Sequence, residues 1–341
     1  MKYLLNVIIP SYNSELTIGN TIDSLLEDYQ TVQDRLDLKI IISDDGSEDD
    51  IQAVLKEYSN FDVTLLKNPH SGVSGARNFG IQAVEQGYIL FFDSDDNWAL
   101  GAFENMLDHQ WVGVDIQIFN TQINAKMLKS ITWNDKLMIM KQTALLEKPY
   151  MQSGVCGNVY CAEFLKENRL IFNEKLRMGE DLVFNLQTLS EARNVYMSDV
   201  KSLIYSGEHS RQKYSKENLK NEIEFNAQIE MALNIKSEEY KDIDHKSDED
   251  DIYTQFCLNG LSFLVTRYFI NSQVKLSTLF HIRNCSRELK QISRIYPYQY
   301  ALYKFSQNKG KYTVRKKDRL LLGLLNKHAY MLATLFTIMT N

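Results

Sequence analysis

Tyr88-Ile89-Leu90-Phe91-Phe92-Asp93-Ser94-Asp95-Asp96 is the stretch that decides the fold. Its apolar run does not alternate and is too short for a helix. It reads as a strand buried on both faces, spanning Tyr88–Phe92. Carboxylates follow at once. Asp93 and Asp95 lie so close that they repel unless a cation is shared. A hard divalent ion with oxygen ligands, Mn²⁺ or Mg²⁺, would bridge such a pair to a diphosphate.

Upstream, the same plan repeats. Leu4–Ile9 is a short apolar run, read as a strand. Ser14 is placed to cap a helix that runs to about Tyr29, with Leu16, Ile18, Ile22, Leu25 and Leu26 on its apolar face. Lys39–Ser43 is a second strand and ends in Asp44-Asp45-Gly46-Ser47. A helix over Asp49–Tyr58, a strand over Val63–Leu66, a loop at Asn68–Gly72 and a helix over Ser74–Glu85 complete the pattern. Continuous apolar strands alternating with helices predict an α/β fold with a mainly parallel sheet covered on both faces. In such sheets the ligand sits beyond the carboxyl ends of the strands. The polar clusters Ser11–Asn13, Asp44–Ser47, Asn68–Gly72 and Asp93–Asp96 all fall there.

Downstream the pattern is mixed. Asp115–Asn120 reads as a strand, Asp181–Ala192 as an amphipathic helix, and Tyr196–Ser206 as extended. Past Tyr214 the character changes. Lys216–Leu233 is helical and charged, Lys236–Asp251 is a charged connection, and the remainder reads as helices broken near Pro297 and Lys309-Gly310. A boundary near residue 215 follows: an α/β domain over 1–215 that carries the polar clusters, and a helical domain over 216–341.

The composition narrows the class. A net charge of −6 supplies no basic field for nucleic acid, and 44% hydrophobic with 24% charged residues is ordinary for a soluble globular chain. Cys156, Cys161, Cys257 and Cys285 form no CxxC pair and no zinc pattern, so they read as reduced thiols in a cytosolic protein. The opening MKYLLNVIIPSYN lacks the features of a signal peptide. Leu320–Met339 is the segment nearest to a membrane span, but Lys327 and His328 interrupt it.

Taken together, Val7-Ile8-Ile9-Pro10-Ser11-Tyr12-Asn13, Asp44-Asp45-Gly46-Ser47, Gly75-Ala76-Arg77-Asn78, Asp93-Ser94-Asp95-Asp96, Gly179-Glu180-Asp181 and the Ser206–Arg211 stretch resemble glycosyltransferase family 2. Their order and spacing fit that family over about residues 3–212. The resemblance implies the GT-A fold, a Rossmann-like nucleotide-sugar-binding fold, and an inverting transfer from a UDP-sugar. The implied donor is a glucose- or galactose-type hexose or an N-acetylhexosamine, and the acceptor is a hydroxyl of a glycan or glycosylated protein. No GxGxxG is present, so a dinucleotide fingerprint is absent.

The resemblance also assigns roles. Pro10 and Tyr12 would line the base and ribose pocket, with Asn13 and Ser94 on the same donor side. Asp45 would accept the uracil imide N–H. Arg77 would lie near the base or the diphosphate. Asp93 would approach the ribose hydroxyls, Asp95 would ligate the metal, and Asp96 would help place the donor sugar. Asp181 would take the proton of the acceptor hydroxyl as general base. At a helix N-terminus its pKa is expected to be lowered. His209 would be a further metal ligand, which suits Mn²⁺, and Arg211 would neutralise the diphosphate. Around Cys156-Gly157-Asn158 the chain departs from the pattern of many relatives, which carry a Trp or a second basic residue there. Asn158 and Glu180 are the candidates for the acceptor side.

Two other functions compete. A sugar-phosphate nucleotidyltransferase usually opens with a Gly-rich loop after the first strand, where this chain has Pro10-Ser11-Tyr12-Asn13. A non-catalytic carbohydrate-binding or scaffold protein would not need Asp93, Asp95, Asp181 and His209 together. At the other end of the chain, Leu320–Met339 follows the basic cluster Arg315-Lys316-Lys317 and Arg319. It is expected to pack in its own domain or in a homo-oligomer. A peripheral contact with the inner face of the membrane is the alternative.

Overall fold

The computed structural model describes residues 2–108, 113–122, 124–144, 154–204, 216–234, 248–271, 279–307 and 310–334. The chain divides into two compact units, Met1–His209 and Ser210–Asn341.

The first unit opens with β1 (Tyr3–Ser11), α1 (Ile18–Tyr29), β2 (Leu36–Asp44), α2 (Ile51–Leu55), β3 (Val63–Lys67), α3 (Gly72–Ala83) and β4 (Tyr88–Phe91). It continues through β5 (Asn97–Trp98), α4 (Ala102–Leu107), β6 (Ile116–Ile118), β7 (Lys126–Leu128), α5 (Trp133–Ala144), β8 (Val159–Cys161), α6 (Ala162–Glu167), α7 (Glu180–Glu191), β9 (Val195–Met197) and β10 (Leu203–Ile204). One sheet runs β3-β2-β1-β4-β8-β6-β9-β7. β1 pairs in parallel with both β2 and β4, which explains why it reads as continuous apolar sequence. Leu5, Val7, Ile8 and Ile9 are fully buried, so both of its faces are covered.

The parallel reading holds from β3 to β4 and then gives way. β8 is antiparallel to β4 and to β6, and β7 is antiparallel to β9. The chain returns to the sheet at the carboxyl end of β4, where the Gly157 N–H donates to the Phe91 carbonyl at 3.2 Å, and β8 runs back from there. A loop that starts β8 is thereby set beside the acidic cluster that ends β4.

Two contacts hold the elements near that edge. A Cβ at Gly80 would meet Ile8 Cγ2 at 2.4 Å, so glycine is what lets α3 lie close on β1. Asp28, fully buried at the end of α1, accepts from Trp98 Nε1 at 2.9 Å, Gly101 N at 2.6 Å and Phe103 N at 2.8 Å. It thus anchors the chain that leaves the acidic cluster.

The expected cap of α1 is corrected. The Ser14 hydroxyl does not cap the helix. It donates to Ser94 Oγ at 3.0 Å and shares a 2.9 Å bond with Ser11 Oγ, tying the end of β1 to the acidic loop. The helix starts only at Ile18, and Leu16, expected on its apolar face, is 92% exposed.

The second unit contains α8 (Lys216–Ala232), α9 (Asp248–Asn271), α10 (Leu279–Ile292), α11 (Tyr298–Gln307) and α12 (Lys316–Asn326). α9 packs against α8, α11 and α12. Tyr253, Leu258, Leu261, Tyr298, Phe305, Leu322 and Leu325 form the buried contact. The long apolar helix expected over Leu320–Met339 is interrupted. α12 ends at Asn326, His328 takes a left-handed conformation with φ 57°, and the Ala329 N–H returns to the Leu324 carbonyl at 2.8 Å. This is the Schellman-type stop of a helix. Leu321, Leu322 and Leu325 pack inside the unit, while Leu320, Met331 and Leu332 are exposed. Residues 335–341 lie outside the described set. Among the described residues no helix is long and apolar enough to cross a membrane.

Glu222 on α8 is buried, and a hydrogen bond with Tyr298 does not fully compensate. Burial pushes its carboxyl up to about 7.

Removing the Asp28 carboxylate leaves three N–H donors without their acceptor. Asp28→Ala is expected to lower stability by about 3 kcal/mol or more. A denaturant midpoint equal to that of the wild type would show that the loop after β5 holds itself. Glu222 generates a pH dependence. Its folded pKa is raised, so the unfolded chain releases the proton first as pH rises. Stability is full below about 4.5 and is lost as pH climbs through about 7. The loss is about 3 kcal/mol from the shift alone. Thermal midpoints of the full chain between those pH values should therefore fall in the wild type, and the slope should flatten in Glu222→Gln.

Candidate functional site

The carboxyl ends of β1, β2 and β4 converge with the 154–158 loop and the start of α7. Pro10 is the penultimate residue of β1, paired with Ser43. Tyr12 follows it and is half exposed, with its ring 4.7 Å from that of His70. Asn13, in a left-handed conformation, bridges to the next loop. Its N–H donates to Ser47 Oγ at 2.9 Å, and its Oδ1 accepts from Glu48 N at 2.9 Å. Ser47 in turn donates to Asp44 Oδ1 at 2.5 Å.

Asp45 is buried and already engaged. Its carboxylate accepts from Ser71 N at 2.8 Å and Gly72 N at 2.9 Å, with His70 Nδ1 3.0 Å away. A carboxylate at the first turn of α3 is the arrangement that free helix N–H groups favour. An imide N–H reaching Asp45 would share a carboxylate that already fixes the 70–72 loop.

Arg77 is the centre of the site. It sits on α3 with its side chain 3% exposed. Nη1 donates to Asp181 Oδ1 at 2.6 Å, Nη2 donates to Asp93 Oδ1 at 3.0 Å, and Glu180 Oε1 is 3.7 Å from Nη1. The guanidinium carbon lies 5.2 Å from the centre of the Phe172 ring. Burial works against its charge, but the carboxylates of Asp181, Asp93 and Glu180 outweigh burial and hold the group above its ordinary pKa. The expectation of a base or diphosphate contact is therefore revised. Arg77 is turned inward between carboxylates and is not presented to the cleft.

Glu180 and Asp181 occupy the first turn of α7, entered through Gly179 at φ 82°. The side chain of Asp181 is 28% exposed and one of its oxygens meets Arg77. The expected lowering of its pKa by the helix N-terminus is reversed. Burial raises it first, Arg77 pulls it back, Asp93 raises it further, and a hydrogen bond from the Val155 main chain lowers it; the net direction is up. Glu180 is also raised, by burial and then by Asp181.

In the acidic loop Asp93 is half buried, Asp95 is exposed and Asp96 is buried. The Asp96 main chain is fixed, with its carbonyl accepting from Thr21 Oγ1 at 2.9 Å. Among the described residues no group of three or more His, Cys, Asp and Glu could hold a metal by itself. What Asp93 and Asp95 offer is a pair of hard oxygen donors. That set suits a cation whose remaining positions come from phosphate oxygens and water. His209 and Arg211 lie outside the described residues.

Asn158 is corrected. It is 2% exposed, its Oδ1 accepts from Phe119 N at 3.2 Å and its Nδ2 donates to the Gly154 carbonyl at 3.1 Å. Its carboxamide is used up in holding the loop, so it has no surface for an acceptor. Its neighbour Cys156 was missed. The thiol is buried against Asp93, Arg77 and Asp181, and burial, with Asp93 second, pushes it well above the usual thiol range. It is a neutral donor beside Asp93. The signal available in sequence was the departure at 156–158, but no residue pattern tells that this loop folds back onto β4.

Residues 6–162 match the model of Glycosyl transferase family 2. They form a domain of that family. Over 213 residues, 59% of this chain and 60% of the relative, the chain is 29% identical to the uncharacterized glycosyltransferase EpsJ of Bacillus subtilis (strain 168). It is 35% identical over 103 residues to the Escherichia coli enzyme WfgD, a UDP-Glc:alpha-D-GlcNAc-diphosphoundecaprenol beta-1,3-glucosyltransferase. That match covers 30% of this chain and 39% of WfgD. The chain thus spans 60% or less of the length of these curated relatives. The crystal structure of S. aureus TarS 1-349 in complex with UDP-GlcNAc superposes with a TM-score of 0.61 at 18% identity, covering 99% of this chain and 90% of that one. The fold is the same: a GT-A sheet followed by a helical region.

The raised pKa of Asp181 has a kinetic consequence wherever its carboxylate form is the active one. Activity then rises with pH through that pKa, so the acid limb of kcat/KM is expected above the ordinary aspartate value of about 4. A limb at or below that value in a pH–rate profile of the full chain would contradict the assignment.

Proposed function

We propose that this chain is an inverting, metal-dependent glycosyltransferase. It moves a glucose- or galactose-type hexose or an N-acetylhexosamine from a UDP-sugar to a hydroxyl of a glycan, a lipid-linked glycan or a glycosylated protein. One observation carries the reading: Asp93 and Asp181 are held on the two amino groups of one buried guanidinium, at 3.0 and 2.6 Å. The two carboxylates that this reading assigns to the donor side and the acceptor side share one cation at the carboxyl edge of the sheet. Support for the donor class comes from WfgD, named for UDP-Glc, and from TarS, crystallised with UDP-GlcNAc.

In the transfer, the acceptor oxygen forms a bond to the anomeric carbon as the bond to the diphosphate oxygen breaks. The leaving group takes that electron pair, and the acceptor proton passes to Asp181. A carboxyl raised by burial is a stronger base than a surface aspartate, and Arg77 keeps it in its charged form. Tyr12, Pro10 and Asn13 would line the nucleoside side, and Asp45 would stiffen the loop beside it. Asp95, with His209, would hold a divalent cation, which when bound neutralises the diphosphate charge. A single displacement inverts the anomeric centre.

The test is a panel of UDP-sugars assayed for cation-dependent UDP release, run beside Asp181→Asn. The variant should retain calorimetric UDP affinity and lose turnover by a factor on the order of 10²–10⁴. Equal loss of affinity and turnover would reduce Asp181 to a helix cap. The first product from an α-linked donor should be β-linked by its anomeric proton coupling; an α-linked product rules out the single displacement.

A further inference from the structure

Phe172 belongs to none of the sequence motifs, lies on no regular element, and is 1% exposed. Its ring touches every element that carries the carboxylate centre. It stacks flat on Phe184 of α7, with centroids 4.0 Å apart and planes at 3°. Phe184 stands one helical turn after Asp181. Phe172 also meets Phe91 of β4 edge-on at 5.1 Å and 89°, two residues before Asp93. On the remaining side it lies 5.2 Å from the Arg77 guanidinium. Among the described residues Arg77 Nε is buried without a hydrogen-bond partner, and the Phe172 ring lies over the guanidinium carbon.

The main chain of Phe172 is pinned as well. Asn78, next to Arg77 on α3, accepts from Phe172 N at 2.8 Å and donates to Phe172 O at 3.0 Å. A second acceptor, Glu174 Oε1, holds the same Asn78 amide at 3.0 Å. The residue after the arginine therefore clamps the shelf on which the arginine rests. An aromatic face attracts a guanidinium and is rigid, whereas an aliphatic side chain is neither.

We propose that Phe172 is a positioning residue that fixes the spacing of Asp93 and Asp181 by holding Arg77 between them. It rests on the transferase reading above for its kinetic consequence, but its structural content stands apart from that reading. Phe172 does not meet the substrates. Its effect falls on the step in which both carboxylates must be in place and not on donor affinity. Small displacements of a reacting group cost turnover steeply, on the order of 10²-fold for 1 Å.

The experiment is a double-mutant cycle of Phe172→Leu and Arg77→Lys in the full chain. It is read by kcat, KM for the UDP-sugar, calorimetric UDP affinity, and the guanidinium ¹⁵N spectrum, in which the Arg77 signals are those lost in Arg77→Lys. Phe172→Leu should lower kcat about tenfold or more with UDP affinity within about twofold. The same change on the Arg77→Lys background should cost almost nothing further, because the two act as one unit. The Nη signals of Arg77, distinct while its rotation is blocked, should merge in Phe172→Leu. If Phe172→Leu does not fold, Phe172→Met, whose flexible unbranched side chain adapts to the gap, carries the same expectations. Additive kcat losses, a loss confined to UDP affinity, or unchanged guanidinium signals would each overturn the proposal. If the wild type turns over no UDP-sugar, the transferase reading fails, and the guanidinium spectrum alone then decides whether Phe172 holds Arg77.

Discussion

A positive charge taken out of water must be paid for by its neighbours, and Arg77 sets the terms for the whole first unit. Its guanidinium sits almost fully buried between Asp93 and Asp181, with Glu180 just beyond. A buried ion pair of this kind adds little net stability, but losing one partner strands the others at a cost of about 3–5 kcal/mol. The elements that supply these groups, α3, β4 and α7, are consequently bound to one another's exact placement. The same charge balance sets the state of Asp181: burial raises its pKa and the adjacent cation lowers it.

The mixed sheet is what makes that balance geometrically available. Four parallel strands deliver the nucleotide-side loops to one edge, as any open α/β sheet does. The antiparallel β8 then begins at the same edge, so the 154–158 loop packs Cys156 beside Asp93 and its Val155 main chain reaches Asp181. Without that reversal a crossover helix would be needed, and the loop would emerge at the opposite end of the strand.

Much of this was legible in the residues. Continuous apolar runs ending in Asp44-Asp45 and Asp93-Ser94-Asp95 located the parallel core and its functional edge, because burial on both faces leaves a local mark. Other features left none. Ser14 has the sequence of a helix cap, but its hydroxyl serves the acidic loop 80 residues away. Arg77 reads as a ligand contact until its burial is known. The pKa of Asp181 follows its helix end in a sequence reading and its burial in the folded chain. Phe172 has no motif, since its role comes from what three distant elements present to it. Each miss is a tertiary contact outweighing a local preference.

Arg77 and Asp181 are 104 residues apart in the chain. During synthesis the arginine leaves the ribosome long before the aspartate, and the four parallel strands and α3 are complete before α7 emerges. Until α7 arrives, Asp93 is the only one of its two closest carboxylates available, and burial of the guanidinium is under-compensated. Full burial of the guanidinium is therefore favoured only once the parallel strands, α3 and α7 are all present.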